Sequence, residues 1–296
     1  MLVKIYRRIL PAPFRQKMYD AFLGKILEFF RNIHILSAGK FFFLFGRLLP
    51  VTEKNLAYAF IGKHGISSYP FPASLQYKLI NVDVERDKDS KLPFVVHHGK
   101  KLYFPEHFSE EKVKKEYLSL IIEQDPQSPH RYIPSYDELE NRVLLDVGSA
   151  EGIFALDTIE LLSRVYLFEY EEFWQKPLQE TFKPWKEKVT IVRKFVSDQT
   201  EALHVSIDDF MAEREREKLF IKMDIEGAER KALNGARETL QSASDIYLAV
   251  CGYHHKGDPE YITSFVESYQ FSHEYAPGYL FWNRRLSKAV ILCHKN

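Results

Sequence analysis

The sequence predicts an α/β protein in which a mostly parallel sheet carries helices on both faces, preceded by an N-terminal α+β extension. Three observations predict this class. Short apolar runs typical of buried strands alternate with helical patterns from residue 143 onward. A glycine-containing turn joins the first of these runs to a helix. Several runs are followed by an acidic residue, as expected where the carboxyl ends of parallel strands meet at a ligand.

The chain has 296 residues, enough for one large domain or two, and we divide it into three segments. Residues 1–50 are predicted to form a basic, aromatic-rich helical segment, residues 51–135 an α+β region on the acceptor side, and residues 136–296 the ligand-binding domain. Basic and acidic side chains balance at 41 each, so no whole-protein field favours nucleic acid as a partner. The two cysteines, Cys251 and Cys293, form no disulfide framework, which indicates a reducing, cytoplasmic location.

Residues 1–47 carry nine basic and two acidic side chains. Apolar residues recur at helical spacing between residues 17 and 31 and predict a basic amphipathic helix. Together with the run Phe41–Phe45, this helix is suited to a peripheral contact with an anionic membrane at its inner face. The alternative, slightly favoured, is a helical extension that packs on its own domain. Neither a signal peptide nor a membrane span is predicted.

The middle segment contains a predicted hairpin, a helix and a polar loop. The apolar runs at residues 94–96 and 102–104 flank His98-Gly99-Lys100, which predicts the hairpin. Ser109 is predicted to cap the helix that follows. The loop at residues 128–132 is rich in His, Arg and Tyr, and it either lines a substrate cleft or is a solvated linker.

The apolar run Val143–Val147 is predicted to be a buried strand that leads into a glycine turn and a helix. The turn lacks one glycine of the dinucleotide fingerprint, and its acidic residues disfavour an anionic pyrophosphate. S-adenosylmethionine suits the turn better, because it has no phosphate and carries an ammonium and a sulfonium. An ordinary strand–turn–helix is the alternative. The candidate cofactor-binding residues in this region are Asp146, Gly148, Ser149, Glu151 and Gly152.

Further acidic residues follow the later strands. Glu169 comes 23 positions after Asp146, close to the spacing of an acid that accepts from ribose hydroxyls. Asp198 either holds the adenine amino group or acts in a turn. This array favours a cationic, adenosine-bearing cofactor over NAD or ATP. Strands are predicted at residues 165–168, 189–192, 219–223, 246–250, 279–282 and 288–293, and helices near residues 210–218, 228–240 and 261–269.

The stretch Lys222–Glu229 is the second one rich in functional side chains. Asp224 follows a predicted strand directly, and it is expected beside the methionine portion of the cofactor and the acceptor. Glu226 and Glu229 either belong to the site or only stabilise the start of the following helix through their negative charge.

Residues 143 to about 255 resemble the FkbM family of S-adenosylmethionine-dependent methyltransferases. The resemblance implies a class I methyltransferase fold, which is Rossmann-like, with S-adenosyl-L-methionine as the cofactor. It also implies methylation of an oxygen, often on a sugar or a polyketide-type acceptor. The matching stretches are Leu145-Asp146-Val147-Gly148 with Gly152, Leu167-Phe168-Glu169, Ser206-Ile207-Asp208-Asp209 and, most specifically, Lys222–Glu229.

Two stretches depart from the family pattern. Ser149-Ala150-Glu151 replaces the small residue and asparagine that are common in the family's turn. Cys251-Gly252-Tyr253-His254 replaces the acid and histidine that end the fifth strand of many members. Upstream, residues 102–105 and 123–130 look like the N-terminal region of members associated with bacterial surface-glycan synthesis. The predicted acceptor is therefore a glycan or a glycan precursor.

Methyl transfer to a hydroxyl requires a base, because the oxygen becomes cationic as its bond to the methyl group forms. His254 is the first candidate and His255 the second, and Asp224 or Glu226 is predicted to assist. No metal ion is predicted, since two acids flanking Ile225 are thin support for a metal site. Two alternatives stay open, namely a non-catalytic component of a glycan assembly complex that keeps the cofactor fold, and an NAD-dependent oxidoreductase.

Overall fold

The structure is a computed structural model that describes residues 32–214 and 218–295. The chain divides into two compact units, of which the first is Met1–Pro70 with Phe281–Leu286 and the second is Phe71–Leu280 with Ser287–Asn296. These bounds differ from the bounds at residues 50 and 135 that separate the three predicted segments. The division into three segments stays a prediction. The amphipathic helix predicted at residues 17–31 lies outside the described residues.

The described part of the first unit is built on helices α1 (Ile33–Phe45) and α2 (Glu53–His64), with a 3₁₀ turn at Gly46–Leu48. The helices cross at two glycines, because a Cβ on Gly62 would lie 2.1 Å from the carbonyl oxygen of Gly39. Within residues 32–214 and 218–295, no helix has both the length and the apolar character that crossing a membrane requires.

The second unit begins with a 3₁₀ turn (Pro72–Leu79) and a small antiparallel sheet. Its strands are β1 (Glu85–Arg86), β2 (Pro93–His97) and β3 (Lys100–Tyr103), and they confirm the predicted hairpin. Helix α3 (Glu110–Glu123) follows, and Ser109 caps it as predicted, because its Oγ accepts from the backbone N–H of Lys112 at 3.2 Å.

From residue 143 onward, strands and helices alternate. The strands are β4 (Val143–Val147), β5 (Arg164–Phe168), β6 (Val189–Val192), β7 (Phe195–Val196), β8 (His204–Val205), β9 (Lys218–Met223), β10 (Asp245–Cys251), β11 (Ser272–Tyr275), β12 (Leu280–Trp282), β13 (Arg285–Ser287) and β14 (Val290–Lys295). The helices are α4 (Ile153–Thr158), α5 (Glu172–Thr181), α6 (Ile207–Met211), α7 (Glu229–Asn234), α8 (Arg237–Ser242) and α9 (Asp258–Ser268), with 3₁₀ turns at Tyr136–Leu139 and Lys183–Trp185.

Seven of these strands form one sheet in the order β11-β14-β10-β9-β4-β5-β6. Strands β10, β9, β4, β5 and β6 are parallel, whereas β14 is antiparallel to both of its neighbours, β10 and β11. Helices α4 and α5 connect consecutive parallel strands. The predicted α/β class with a mostly parallel sheet is therefore confirmed.

Two predicted helices were wrong in extent. The helix predicted at residues 210–218 is α6, which begins earlier and ends at Met211. Ser206 caps its start, because the N–H of Asp209 donates to Ser206 Oγ at 3.0 Å. The helix predicted at residues 228–240 is split into α7 and α8 around Gly235. A Cβ at Gly235 would lie 2.1 Å from the carbonyl oxygen of Ser197, so a neighbouring segment passes this point closely.

The carboxyl ends of the parallel strands lie together at one edge of the sheet. Val147 pairs with Phe168 of β5 and with Met223 of β9, and Met223 pairs with Val250 of β10. The residues that follow these strands are therefore neighbours in space. Alternate side chains of β4, such as Leu145 and Val147, pack into the apolar core together with α6–α9.

Candidate active site

The carboxyl ends of β4, β5 and β9 border a cavity of about 580 Å³. Among the residues predicted to bind cofactor, Gly148, Glu169 and Asp224 line it. Glu226, predicted to assist the base, lines it as well. Much of the remaining wall consists of side chains that follow β5, β6 and β9, namely Tyr170, Glu171, Lys194, Phe195, Ser197, Ile225 and Lys231.

Gly148 allows the turn after β4 to touch the chain that follows β9. Its φ is +77°, and a Cβ there would lie 2.0 Å from the carbonyl oxygen of Asp224. The N–H of Asp224 donates to the carbonyl of Val147 at 3.1 Å, which extends the pairing of the two strands. The turn and Asp224 therefore form one wall of the cavity.

Glu169 is held by the backbone on both carboxylate oxygens. The N–H of Ala150 donates to Oε2 at 3.0 Å, and the N–H of Glu171 donates to Oε1 at 2.8 Å. Burial raises the pKa of Glu169 above its usual range, although both N–H groups oppose the shift. The carboxylate thus has a fixed orientation at the cavity, where it was predicted to accept from ribose hydroxyls.

Asp198 and the other turn residues predicted to bind the cofactor lie away from the cavity lining. Gly152 packs on the end of α5, since a Cβ there would lie 2.8 Å from the ring of Phe182. Ser149 and Glu151 are buried, and burial raises the pKa of Glu151 to about 7. Asp198 is exposed and accepts from the hydroxyl of Ser197 at 3.0 Å. Their predicted contacts with a cofactor stay predictions.

Asp146 lies inside β4 and is 1% exposed. Its Oδ1 is 2.9 Å from Nζ of Lys222, the residue that pairs with it on β9. Burial alone would lower the pKa of Lys222, but the charges of Asp146 and Asp224 and the hydrogen bond to Asp146 together outweigh burial and raise the pKa. Lys222 also donates to the carbonyl of Gly148. Asp146 therefore supports the turn from beneath, through Lys222, and does not line the cavity.

Asp224 is the centre of a polar cluster. The hydroxyl of Tyr132 donates to Oδ2 at 3.1 Å, His130 Nε2 lies 3.5 Å from Oδ2, and His254 Nε2 lies 3.6 Å from Oδ1. Burial alone would raise the pKa of Asp224, but His130, Lys222 and His254 outweigh burial and lower it. Asp224 is therefore an ionised acceptor that faces the cavity.

His254 lies behind Asp224, and its side chain is 4% exposed. Its Nδ1 is 2.9 Å from Oε1 of Glu229, which is fully buried and also accepts from the N–H of Ile225 at 3.0 Å. Burial alone would lower the pKa of His254, but the hydrogen bond and charge of Glu229, together with the charges of Asp224 and Glu226, outweigh burial and raise the pKa. Glu229 thereby directs Nε2 toward Asp224.

The two other predicted catalytic residues are exposed. The ring of His255 lies over Gly227, where a Cβ would be 2.1 Å from Nε2. Glu226 has an 84% exposed side chain, and its Oε2 is 3.9 Å from Nε2 of His254. Of the two candidate bases, His254 is the one that the structure places in contact with Asp224.

Sequence reasoning left open whether the loop with His130 and Tyr132 lines a cleft or is a solvated linker, and it gave Tyr253 no role in the site. The hydroxyl of Tyr253 is 3.1 Å from Nε2 of His130, and burial lowers the pKa of this histidine. For His130 and Tyr132 the signal was the His- and Tyr-rich composition of residues 128–132. Ligand atoms of Asp224, Glu229 and His254 lie within 4.8 Å of one another, so these groups could also hold a divalent ion.

Comparisons with known proteins identify the family of the chain. The family model described as the methyltransferase FkbM domain matches residues 51–276, which is more than half of the chain. A solved FkbM methyltransferase from Methylobacillus flagellatus KT is 20% identical, with a TM-score of 0.44; the match covers 63% of this chain and 55% of that one. The chain thus spans about half the length of that protein.

Two other solved structures are similar over a smaller part of this chain. An rRNA methylase from Streptococcus thermophilus is 12% identical, with a TM-score of 0.38, and 54% of this chain and 91% of that one are covered. A putative methyltransferase from Streptococcus mutans, in complex with SAH, is 13% identical, with a TM-score of 0.35, and 54% and 95% are covered. No curated protein matches the chain. With the family model covering residues 51–276, the chain belongs to the FkbM family of methyltransferases, and its α/β sheet is of the class I methyltransferase type.

Proposed function

We propose that the protein transfers a methyl group from S-adenosyl-L-methionine to a hydroxyl oxygen, with a glycan or glycan precursor as the acceptor. Membership of the FkbM family supports methyl transfer. The observation that carries the proposal is the ionised Asp224 at the cavity wall, backed by the pair His254 and Glu229.

The charges around the cavity fit this cofactor. Four carboxylates line it, from Glu169, Glu171, Asp224 and Glu226, against two ammonium groups from Lys194 and Lys231, so acidic groups are in excess. An anionic pyrophosphate would be repelled by this lining, whereas an ammonium and a sulfonium are attracted. The fixed carboxylate of Glu169 is suited to accept from two ribose hydroxyls. When bound, S-adenosyl-L-methionine supplies an electrophilic methyl group.

The polar cluster favours a hydroxyl as the acceptor. A hydroxyl must lose its proton as the new bond forms, so it benefits from an adjacent base. Asp224 lines the cavity, and in this proposal it accepts a hydrogen bond from the acceptor and orients its oxygen. His254 does not line the cavity, so the released proton would reach its Nε2 through the carboxylate of Asp224, and Glu229 would stabilise the imidazolium through Nδ1.

The choice of a glycan rests on the similarity of the upstream residues 102–105 and 123–130 to glycan-associated members of the family. We also propose that the enzyme acts in the cytoplasm, with residues 1–47 as a peripheral contact to the inner face of the membrane. Lipid-linked glycan precursors would be accessible there.

The experiment is methyl transfer by the purified chain to a panel of glycans and glycan precursors, followed by mass spectrometry. We expect one acceptor to gain the mass of one methyl group, and Asp224→Asn to abolish the gain. Glu172→Gln is the matched control, because Glu172 is exposed and pairs with Arg193 on the surface. A chelator added to the reaction tests whether the cluster works with a metal ion.

Two outcomes would contradict the proposal. Binding of S-adenosyl-L-methionine without transfer across the whole panel would favour a non-catalytic component of a glycan assembly complex. Tight binding of NAD without binding of S-adenosyl-L-methionine would favour an oxidoreductase.

A further inference from the structure

A second group of metal-ligating side chains lies outside the cavity lining. Strand β2 ends at His97, and the turn to β3 consists of His98 and Gly99. Asp157 lies near the end of helix α4. Ligand atoms of His97, His98 and Asp157 lie within 4.8 Å of one another. The hairpin and the helix thus meet at two imidazoles and one carboxylate.

A single carboxylate oxygen faces both imidazoles. Oδ1 of Asp157 is 2.7 Å from Nε2 of His97 and 3.0 Å from Nδ1 of His98. His97 and Asp157 are nearly buried, whereas the side chain of His98 is 76% exposed. Two nitrogens and one oxygen therefore converge at a point that water and ions can reach from one side.

We propose that His97, His98 and Asp157 bind one divalent transition-metal ion of the zinc class, between hairpin β2–β3 and helix α4. Imidazole and carboxylate are ligands that Zn²⁺ takes in proteins, and three protein ligands leave a fourth position for water. With bonds of about 2.0–2.1 Å, tetrahedral ligand atoms lie about 3.3 Å apart. The two separations between Oδ1 of Asp157 and the imidazole nitrogens, 2.7 and 3.0 Å, need to widen by a few tenths of an ångström.

The surroundings of His97 match those of a metal ligand. Its second ring nitrogen, Nδ1, is 2.9 Å from the hydroxyl of Tyr117 on α3. A metal-bound histidine commonly uses its other nitrogen in such a hydrogen bond, which orients the ring. Tyr117 therefore holds His97 with Nε2 directed at the ion position.

The turn residue His98 has an uncommon backbone conformation. Its φ is +48° and that of Gly99 is +81°, as in the two-residue hairpin turns that favour Asn followed by Gly. An asparagine would satisfy the same turn, so the hairpin itself does not require the imidazole. The ammonium group of Lys100 opposes a cation here, because its Nζ donates at 2.8 Å to the carbonyl of Leu156, the residue before Asp157. We therefore expect a weaker site than a structural zinc site with four protein ligands.

The test uses the full chain, freed of metal with a chelator and titrated with Zn²⁺ against a chromophoric competitor. His98→Asn removes one ligand and keeps the favoured turn. We expect it to remove one Zn²⁺ from the stoichiometry or to weaken one site at least tenfold. His107→Asn changes an exposed loop histidine outside the cluster and should leave binding unchanged.

Further measurements separate this site from the donor groups around Asp224. Tyr117→Phe should weaken the same site about 10- to 100-fold, as expected for loss of a supporting hydrogen bond. Co²⁺ bound to the wild type should show visible absorption bands that decrease in His98→Asn. Equal Zn²⁺ stoichiometry and affinity for wild type, His98→Asn and Tyr117→Phe would overturn the proposal. Absence of Zn²⁺ binding by the wild type would also overturn it, and would leave the three side chains as a hydrogen-bonded clamp.

Discussion

Glu169 is the side chain at which cofactor binding can be tested most directly. Replacing it by Gln removes the charge and places an amide NH₂ against a backbone N–H donor. Hydrogen bonds to a charged group contribute about 1.5–3 kcal/mol, so Glu169→Gln should weaken binding of S-adenosyl-L-methionine about 10- to 100-fold. Isothermal titration calorimetry measures the change. Unchanged affinity would mean that Glu169 does not contact the cofactor.

Glu229 offers a test of the proton-accepting role of His254. The imidazole must be neutral to take a proton, and Glu229 helps to raise its pKa above the ordinary value. The activity of the wild type should therefore rise with pH through a pKa above about 6.5. In Glu229→Gln the negative charge beside Nδ1 is lost, so the rising limb of kcat/KM should move to lower pH and the plateau should fall.

The control for this test is Glu226→Gln. Its carboxylate is 84% exposed and lies 3.9 Å from His254, so solvent screens its charge. The rising limb should move less than in Glu229→Gln. If neither variant moves the limb, His254 is not the group whose ionisation controls the rate.

At the scale of residues, the sequence located the carboxylates but not their surroundings. Glu169 and Asp224 follow buried strands, and the meeting of strand ends predicted that both face one site. The direction of Asp146 was not predictable in this way, because successive side chains of a strand point to opposite faces. Its partner Lys222 lies on another strand, and only the register of β4 with β9 brings the two together.

At the scale of elements, the contact between the turn after β4 and the chain after β9 can be tested at Gly148. Alanine at a positive φ costs about 1–2 kcal/mol, and a crowded contact costs about 1–3 kcal/mol more. Gly148→Ala should therefore lower the free energy of unfolding by about 2–5 kcal/mol, because its Cβ would meet the backbone of Asp224. Denaturant unfolding measures the loss.

Gly99→Ala is the matched control for this prediction. Gly99 has a φ of +81°, close to that of Gly148, but a Cβ there would meet no atom within 4 Å. Gly99→Ala should lower the free energy of unfolding only by the cost of alanine at a positive φ, about 1–2 kcal/mol. Equal losses in the two variants would show that the contact with Asp224 is loose enough to accept a methyl group.

The elements themselves were predictable where the pattern is local. The hairpin around His98 and the cap at Ser109 depend on neighbouring residues, and both are present. The break between α7 and α8 was not predictable, because its physical reason is the passage of the backbone at Ser197 beside Gly235. His130 and Tyr132 reach Asp224 through tertiary packing, and no spacing in the sequence indicates that contact.

At the scale of the whole molecule, the first unit carries apolar side chains that remain exposed on α1. Phe41, Phe43, Leu44 and Phe45 are 48–69% exposed. Aromatic and aliphatic side chains of this kind enter the headgroup region of a bilayer, and each nearby basic residue adds roughly 1 kcal/mol on an anionic surface. We therefore expect the full chain to co-sediment with anionic vesicles, and binding to fall at high salt.

Specific variants separate this membrane contact from a segment that packs on its own domain. The double variant Phe43→Ser with Leu44→Ser should weaken vesicle binding at least tenfold, because burying such side chains contributes about 1.5–3 kcal/mol each. Leu79→Ser is the control, since Leu79 is 87% exposed in the second unit and outside the basic segment. A chain without residues 1–47 that stays folded and no longer binds vesicles would agree with the membrane contact. A wild type that does not bind anionic vesicles at low salt, or a truncated chain that is insoluble, would instead show that the segment packs on the protein.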